Sequence, residues 1–161
     1  MGWCDPLPLV SRTPRHGRGV NPPSRTSDVR RSTGHTAYGL YAHVTWHTWR
    51  RIQQVRAADV HRLCDAVLAA ARRTRVRVHA QAVLTDHVHV LISYPPAVAL
   101  ANFVREAKSE SARRINTARV DAQRVRWCRG YYAGSLSRRD VGAARSYLAT
   151  QFHRHPDRIP G

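Results

Sequence analysis

Acidic residues are scarce: ten Asp and Glu stand against 27 Lys and Arg in 161 residues, a formal net charge of +17. A surface of that sign seeks polyanions. Cysteine is rare as well, and Cys4, Cys64 and Cys128 are too few, too far apart and odd in number for a disulfide framework or a zinc finger. They read as small buried hydrophobes of a reducing compartment. No apolar run approaches the roughly 20 residues that cross a bilayer, and the N-terminus lacks the basic-then-apolar layout of a secretory signal. A cytoplasmic protein with no membrane partner is expected. The length suits one domain with one hydrophobic core.

Residues 1–36 interleave Pro, Gly, Ser, Thr and Arg without any apolar period, which predicts a disordered basic arm. The arm carries six Arg and two Asp, so most of the positive charge belongs to residues 37–161. A folded domain is expected over 37–156, with 157–161 as a tail. From Tyr38 to His47 the chain alternates, with Ala42, Val44 and Trp46 on one side and His43 and His47 on the other, which predicts a strand. Leu63, Cys64, Val67, Leu68 and Ala71 recur at helical spacing over about 57–73. Two β-rich runs divided at Thr85-Asp86 predict a tight hairpin, and Leu100, Val104, Ala107, Ser111 and Ile115 a long basic helix. A last strand fits within 125–137. Ser137 and Asp140 then resemble a capping box opening one final helix to about His153. The order βαββαβ plus a helix predicts an α+β, ferredoxin-like antiparallel sheet with two helices on one face.

Asp86-His87-Val88-His89 puts two imidazoles at i and i+2 of a strand, hence on one sheet face, while Val88 turns into the core. Ten histidines in this length produce such a pair about 0.6 times by chance, so the pair alone is weak evidence. The second pair, His153 and His155, lies at the end of the final helix, where i and i+2 point apart, and reads as cationic C-terminal decoration. On that helix Ala143, Tyr147 and Gln151 share a stripe at i, i+4 and i+8. By periodicity alone Tyr147 is a boundary tyrosine and Gln151 a solvated residue.

Four segments together, Leu84-Thr85-Asp86-His87-Val88-His89-Val90-Leu91, Ala107-Lys108-Ser109-Glu110-Ser111, Trp127-Cys128-Arg129-Gly130-Tyr131-Tyr132 and Tyr147-Leu148-Ala149-Thr150-Gln151, resemble the single-tyrosine HUH transposases. That group includes small insertion-sequence transposases and REP-associated tyrosine transposases. The resemblance covers about 38–155. It implies that His87, His89 and Gln151 hold a divalent metal and that Tyr147 is the nucleophile. It further implies cleavage and rejoining of single-stranded, hairpin-bearing DNA through a 5′-phosphotyrosine, work done at the nucleoid, and it leaves monomer and homodimer both open.

The chemistry is consistent with that implication. A free tyrosine titrates near pH 10, so only about one in a thousand is phenolate at pH 7 and the group needs activation. Two neutral nitrogens and an amide oxygen suit Mg²⁺ or Mn²⁺ with open water positions. Arg105, Lys108, Arg113, Arg114, Arg138, Arg139 and Arg145 are candidate DNA contacts, which would give a log–log salt slope of roughly −0.7 to −0.9 for each phosphate met. Trp46, Trp49 and Trp127 are candidates to stack bases, but such tryptophans are more often core or strand-packing residues, and Trp127 reads as one of these. His43 and His47 would lie beside the His87 strand as supports for its ligands or as plain polar sheet residues. A noncatalytic nucleic-acid-binding module of the same fold remains the alternative, in which His87, His89 and Tyr147 are dispensable.

Overall fold

The structure, a computed structural model, describes residues 39–161, so the expected arm at 1–36 lies outside the described residues. Alternation makes β1 (Leu40–His47) a two-faced strand: Ala42, Val44 and Trp46 are buried, and Tyr41, His43, Thr45 and His47 point the other way. β2 (Arg77–Val83) and β3 (His87–Tyr94) form the hairpin at Thr85-Asp86. β3 lies antiparallel to β1 in a register that opposes His87 to His47 and His89 to Thr45. β4 (Tyr132–Leu136) takes the other edge of β1, and the sheet order is β2-β3-β1-β4. With α1 (Ala57–Thr74) after β1 and α2 (Leu100–Ala118) after β3, this is the expected ferredoxin-like α+β architecture.

Both helices cover one sheet face because their apolar stripes meet the inward side chains of the strands. Trp46, Leu63, Val67, Val90, Phe103 and Ile115 interlock there, each contributing roughly 1.5–3 kcal/mol by leaving water. The Trp127 indole N–H donates to Ser111 Oγ at 3.0 Å, whereas that of Trp46 beside it has no partner among the described residues. A nearly buried ion pair between Asp59 and Arg119 ties the start of α1 to the end of α2. Cys64 is buried in α1 as a small apolar side chain, and Cys128 carries no disulfide. Among the described residues no helix is long and apolar enough to cross a membrane.

The second face is covered too, by the C-terminal elements, and here the chain departs from the expected single helix. α3 (Val141–Ala149) stops at Thr150, and α4 (Gln151–Arg154) comes next as a separate turn. The cause is local: the Tyr147 carbonyl accepts from the Thr150 backbone N–H at 3.2 Å, the Thr150 hydroxyl at 3.0 Å and the Gln151 side-chain amide at 3.1 Å. Side chains thus take an acceptor that a continuing helix needs. The expected capping box is absent as well, because Asp140 is the N-cap and the Ser137 hydroxyl donates to its carboxylate at 2.7 Å instead of accepting from a backbone N–H. Leu148 packs on Ala80, Ala82 and Leu91, and the small alanine side chains on β2 let α3 approach the sheet. The last residues are also docked: the Thr85 N–H donates to the Arg158 carbonyl, and the Ala57 N–H to that of Gly161, each at 2.9 Å.

Candidate metal and nucleophile site

The period of β3 brings His87 and His89 to the face under α3, with ring centroids 4.8 Å apart. Each is held from behind. Asp86, 1% exposed, accepts from His87 Nδ1 at 2.5 Å, which leaves the lone pair on Nε2. His89 Nδ1 shares a 2.9 Å hydrogen bond with His43 Nε2 from β1. Burial lowers the pKa of His87 despite Asp86, and it also lowers that of His43. Burial, then the neighbouring imidazoles of His87, His43 and His155, push His89 down to about 3. The pair is therefore neutral at pH 7, the state in which imidazole ligates metals.

α3 and α4 bring the other two groups. Tyr147 stands over the pair, its ring centroid 5.9 Å from His43 and 6.2 Å from His89, and at 39% exposure it is open to a polymer. Gln151, far from being a solvated residue, is fully buried. Its amide nitrogen is bound to the Tyr147 carbonyl, so its oxygen is the free end. Two buried atoms on this face, His89 Nε2 and Gln151 Oε1, have no partner among the described residues. Each such orphan costs about 1–3 kcal/mol, which calls for an explanation. With His87 Nε2 they are two imidazole nitrogens and one amide oxygen, donor types suited to a divalent cation.

The seven basic candidates separate. Arg105, Lys108, Arg113 and Arg114 ride on α2, across the sheet from the histidines. Arg113 and Arg114 both bind Glu110, at 2.9 and 2.6 Å. Lys108 binds the carbonyls of Cys128, Arg129 and Gly130, so it fastens the approach to β4. Arg138, Arg139 and Arg145 are exposed beside or on α3, on the histidine side. Of the three tryptophans, Trp46 is core and Trp127 is bonded into it. Trp49 is the open one, with the Arg126 guanidinium 4.4 Å above its ring. His47 faces His87 across the register, and its pKa is lowered by burial first and then by Arg51.

Four residues near this centre escaped the sequence reading. His155, read as surface decoration, has its ring centroid 6.0 Å from that of His87. Its signal was present as a continuation of the Tyr147/Gln151 stripe by four more residues. Arg154 sits 5.2 Å from the Tyr147 ring, and Arg158 binds Asp86 at 2.6 Å. Asp86 itself read as a turn residue. Its place directly before the histidine pair was the available clue.

Comparison with known proteins bears on the family and the fold. The model of a family described as "Transposase IS200 like" matches residues 36–151, which reach from before β1 to Gln151. The ISDra2 transposase TnpA of Deinococcus radiodurans is 31% identical over 90 residues, 56% of this chain and 64% of that relative's length. The chain thus spans just under two thirds of that relative. Among solved structures, a protein described as a transposase from Deinococcus radiodurans R1 superposes with a TM-score of 0.59 at 24% identity, covering 76% of this chain and 97% of the other. A REP-associated tyrosine transposase bound to a REP hairpin gives 0.60 at 17% identity, covering 81% and 74%. At those identities the two structures speak for the fold. The family model, spanning most of the chain, speaks for descent: the chain belongs to the IS200-like transposase family.

Proposed function

We propose that this chain is a DNA strand transferase that cuts and rejoins single-stranded, hairpin-bearing DNA through Tyr147. The observation that carries the reading is an accessible phenol, Tyr147, standing over His89 with His87 beside it, while His89 Nε2 and Gln151 Oε1 are buried without a partner among the described residues. His87, His89 and Gln151 would hold the cation, Mg²⁺ or Mn²⁺. Bound there, it supplies Lewis-acid charge to the scissile phosphate. Ligation through His89 Nε2 requires its Nδ1–H to donate to His43, and Asp86 fixes the corresponding tautomer of His87.

Tyr147 Oη forms the new bond to phosphorus as the bond from phosphorus to the 3′-oxygen breaks. The 5′ end is left on the enzyme as a phosphotyrosine, and the phenolic proton ends on the departing 3′-OH. One phosphodiester has replaced another, so a second 3′-OH can reverse the step without ATP. Arg154, near the tyrosine ring, meets the negative charge that gathers on the phenol and phosphate. Arg138, Arg139 and Arg145 extend positive charge along the same side for the strand. A hairpin is the expected feature of that strand, since a relative of the same fold is described as bound to one.

The test is to mix the protein with labelled hairpin-bearing single strands and Mn²⁺ or Mg²⁺, then to look for a denaturant-resistant protein–DNA adduct. An adduct lost both with Tyr147→Phe and with EDTA supports the reading. Salt-sensitive binding with no adduct would return the chain to a noncatalytic binding module.

A further inference from the structure

We propose that Trp49, with Arg50 and Arg126 beside it, is a stacking platform for one unpaired nucleobase of the bound strand, at the end of the sheet just past the histidine pair. The inference rests on the reading that a single strand is held at Tyr147, and it names where the nucleotides flanking the cut are gripped.

Three features meet at this place. One is an open aromatic ring: Trp46 is wholly buried and Trp127 is bonded to Ser111, whereas the Trp49 indole is 36% exposed. Another is positive charge without neutralisation. The Arg126 guanidinium lies 4.4 Å from the centroid of the Trp49 ring and that of Arg50 5.8 Å, both side chains are exposed, and among the described residues neither is in an ion pair. An indole bordered by guanidinium groups suits a nucleotide of any sequence, since every base has a π-face and every nucleotide a phosphate.

The last feature is backbone strain. Arg50 and Arg51 stand at φ 53° and 55°, the left-handed region that a β-carbon disfavours and glycine takes freely. Such residues persist where the surrounding structure holds them, characteristically at ligand clamps. The surroundings do hold them. Thr48, fully buried, donates its hydroxyl to the Ile52 carbonyl at 2.6 Å and so closes the turn over both arginines. The Trp49 N–H donates to the Arg126 carbonyl at 2.6 Å, and the N–H groups of Gln54 and Val55 both donate to the Thr85 carbonyl at 2.9 Å. The ring and its guanidinium neighbour are therefore pinned through their backbones, and a base that stacks there meets a preformed surface.

The place of the platform follows from the register. β1 ends at His47, opposite His87, and the turn Trp49–Arg51 starts two residues later. The Thr48 N–H donates to the Asp86 carbonyl at 2.8 Å, and Arg51 Nη1 lies 3.9 Å from the Asp86 carboxylate that orients His87. The segment thus leads outward from the histidine pair, where the flank of a strand cut by Tyr147 has to pass.

The experiment measures, by fluorescence anisotropy, binding of the full chain to a labelled hairpin strand whose single-stranded flanks are made abasic one nucleotide at a time. In the parent, loss of the stacked base is expected to weaken binding about tenfold at one flank position. Trp49→Ala should weaken binding of the intact strand by a similar factor, lose its sensitivity to the abasic substitution at that position alone, and keep the salt slope of the parent. Trp49→Phe, which retains a flat ring, should recover most of the affinity. Replacing Arg50 and Arg126 by Gln should instead lower the log–log slope by about 1.4. Binding by Trp49→Ala within about twofold of the parent overturns the inference, as does a Trp49→Ala protein that stays sensitive to every abasic position, the behaviour of a merely structural tryptophan. A Tyr147 adduct in the parent would then leave the strand-transfer reading standing. No binding of the strand by the parent overturns both.

Discussion

On the sheet face that meets α1 and α2, Trp46, Leu63 and Phe103 are wholly buried in an apolar layer. On the face that meets α3, His87, His89 and Gln151 are buried as well, but two of the atoms enclosed there have no partner. Both faces enclose polar atoms without partners among the described residues, Trp46 Nε1 and the Gln81 amide on the first, His89 Nε2 and Gln151 Oε1 on the second, but only the second also carries a paired set of imidazoles under an exposed tyrosine. Enclosed polar atoms without partners destabilise a fold unless a ligand satisfies them, and natural chains tolerate such conflicts where function requires them. The comparison teaches where to look for chemistry: beneath α3, where buried imidazoles and a carboxamide oxygen lie under an exposed phenol.

Two substitutions should pull stability and activity apart, and they carry the largest effects. Phe103→Ala empties a fully buried site and is expected to cost about 3–5 kcal/mol in a denaturant titration. Tyr147→Phe removes a hydroxyl from an exposed side chain and should change stability by less than about 0.5 kcal/mol, while abolishing any covalent adduct. An adduct that survives Tyr147→Phe, or a Phe103→Ala protein as stable as its parent, breaks the division between the faces.

Acid should distinguish the faces next. Above about pH 6.5 His89 is neutral in both the folded and the unfolded chain; below it the unfolded chain takes up a proton that the folded chain refuses until about pH 3. The stability contribution is thus present above pH 6.5 and lost as the pH falls towards 3, by up to about 1.4 kcal/mol per unit. Thermal melts of the metal-free protein between neutral and mildly acid pH should show this loss, and His89→Asn should flatten it. An equal loss in the variant would place the acid sensitivity elsewhere.

Much of this was legible in the residues, and unevenly so. The core face follows from local period: Leu63, Val67, Val104 and Ile115 fall where 3.6-residue spacing puts them. The His87/His89 pair and its shared face follow from a period of two. Three features were not legible, because each depends on contacts distant in sequence or on a small local competition. A register shift between Val78 and Ala80 turns Gln81 to the core side, where neither amide atom has a partner among the described residues. Simple alternation cannot foresee it. The break at Thr150 depends on three donors reaching one carbonyl, which no propensity encodes. His155 looked like decoration because the docking of Arg158 on Asp86, across 72 residues, is what brings it inward.

The smallest effect expected concerns which side of the sheet the nucleic acid takes. Arg138 and Arg139 open onto the histidine side, whereas Arg113 and Arg114 lie across the sheet and share Glu110. If a single strand runs along the α3 side, replacing Arg138 and Arg139 by Gln removes two phosphate contacts and lowers the log–log salt slope by about 1.4. The same change at Arg113 and Arg114 should leave the slope unaltered, since neither guanidinium faces the strand. Fluorescence anisotropy of a labelled hairpin strand across a salt series measures both variants in one design. Should the α2 pair lower the slope as much as the α3-side pair, the DNA wraps onto the helical face. That face would then bind as well as stabilise, and the boundary between structure and function would run along the sheet edge instead of through its plane.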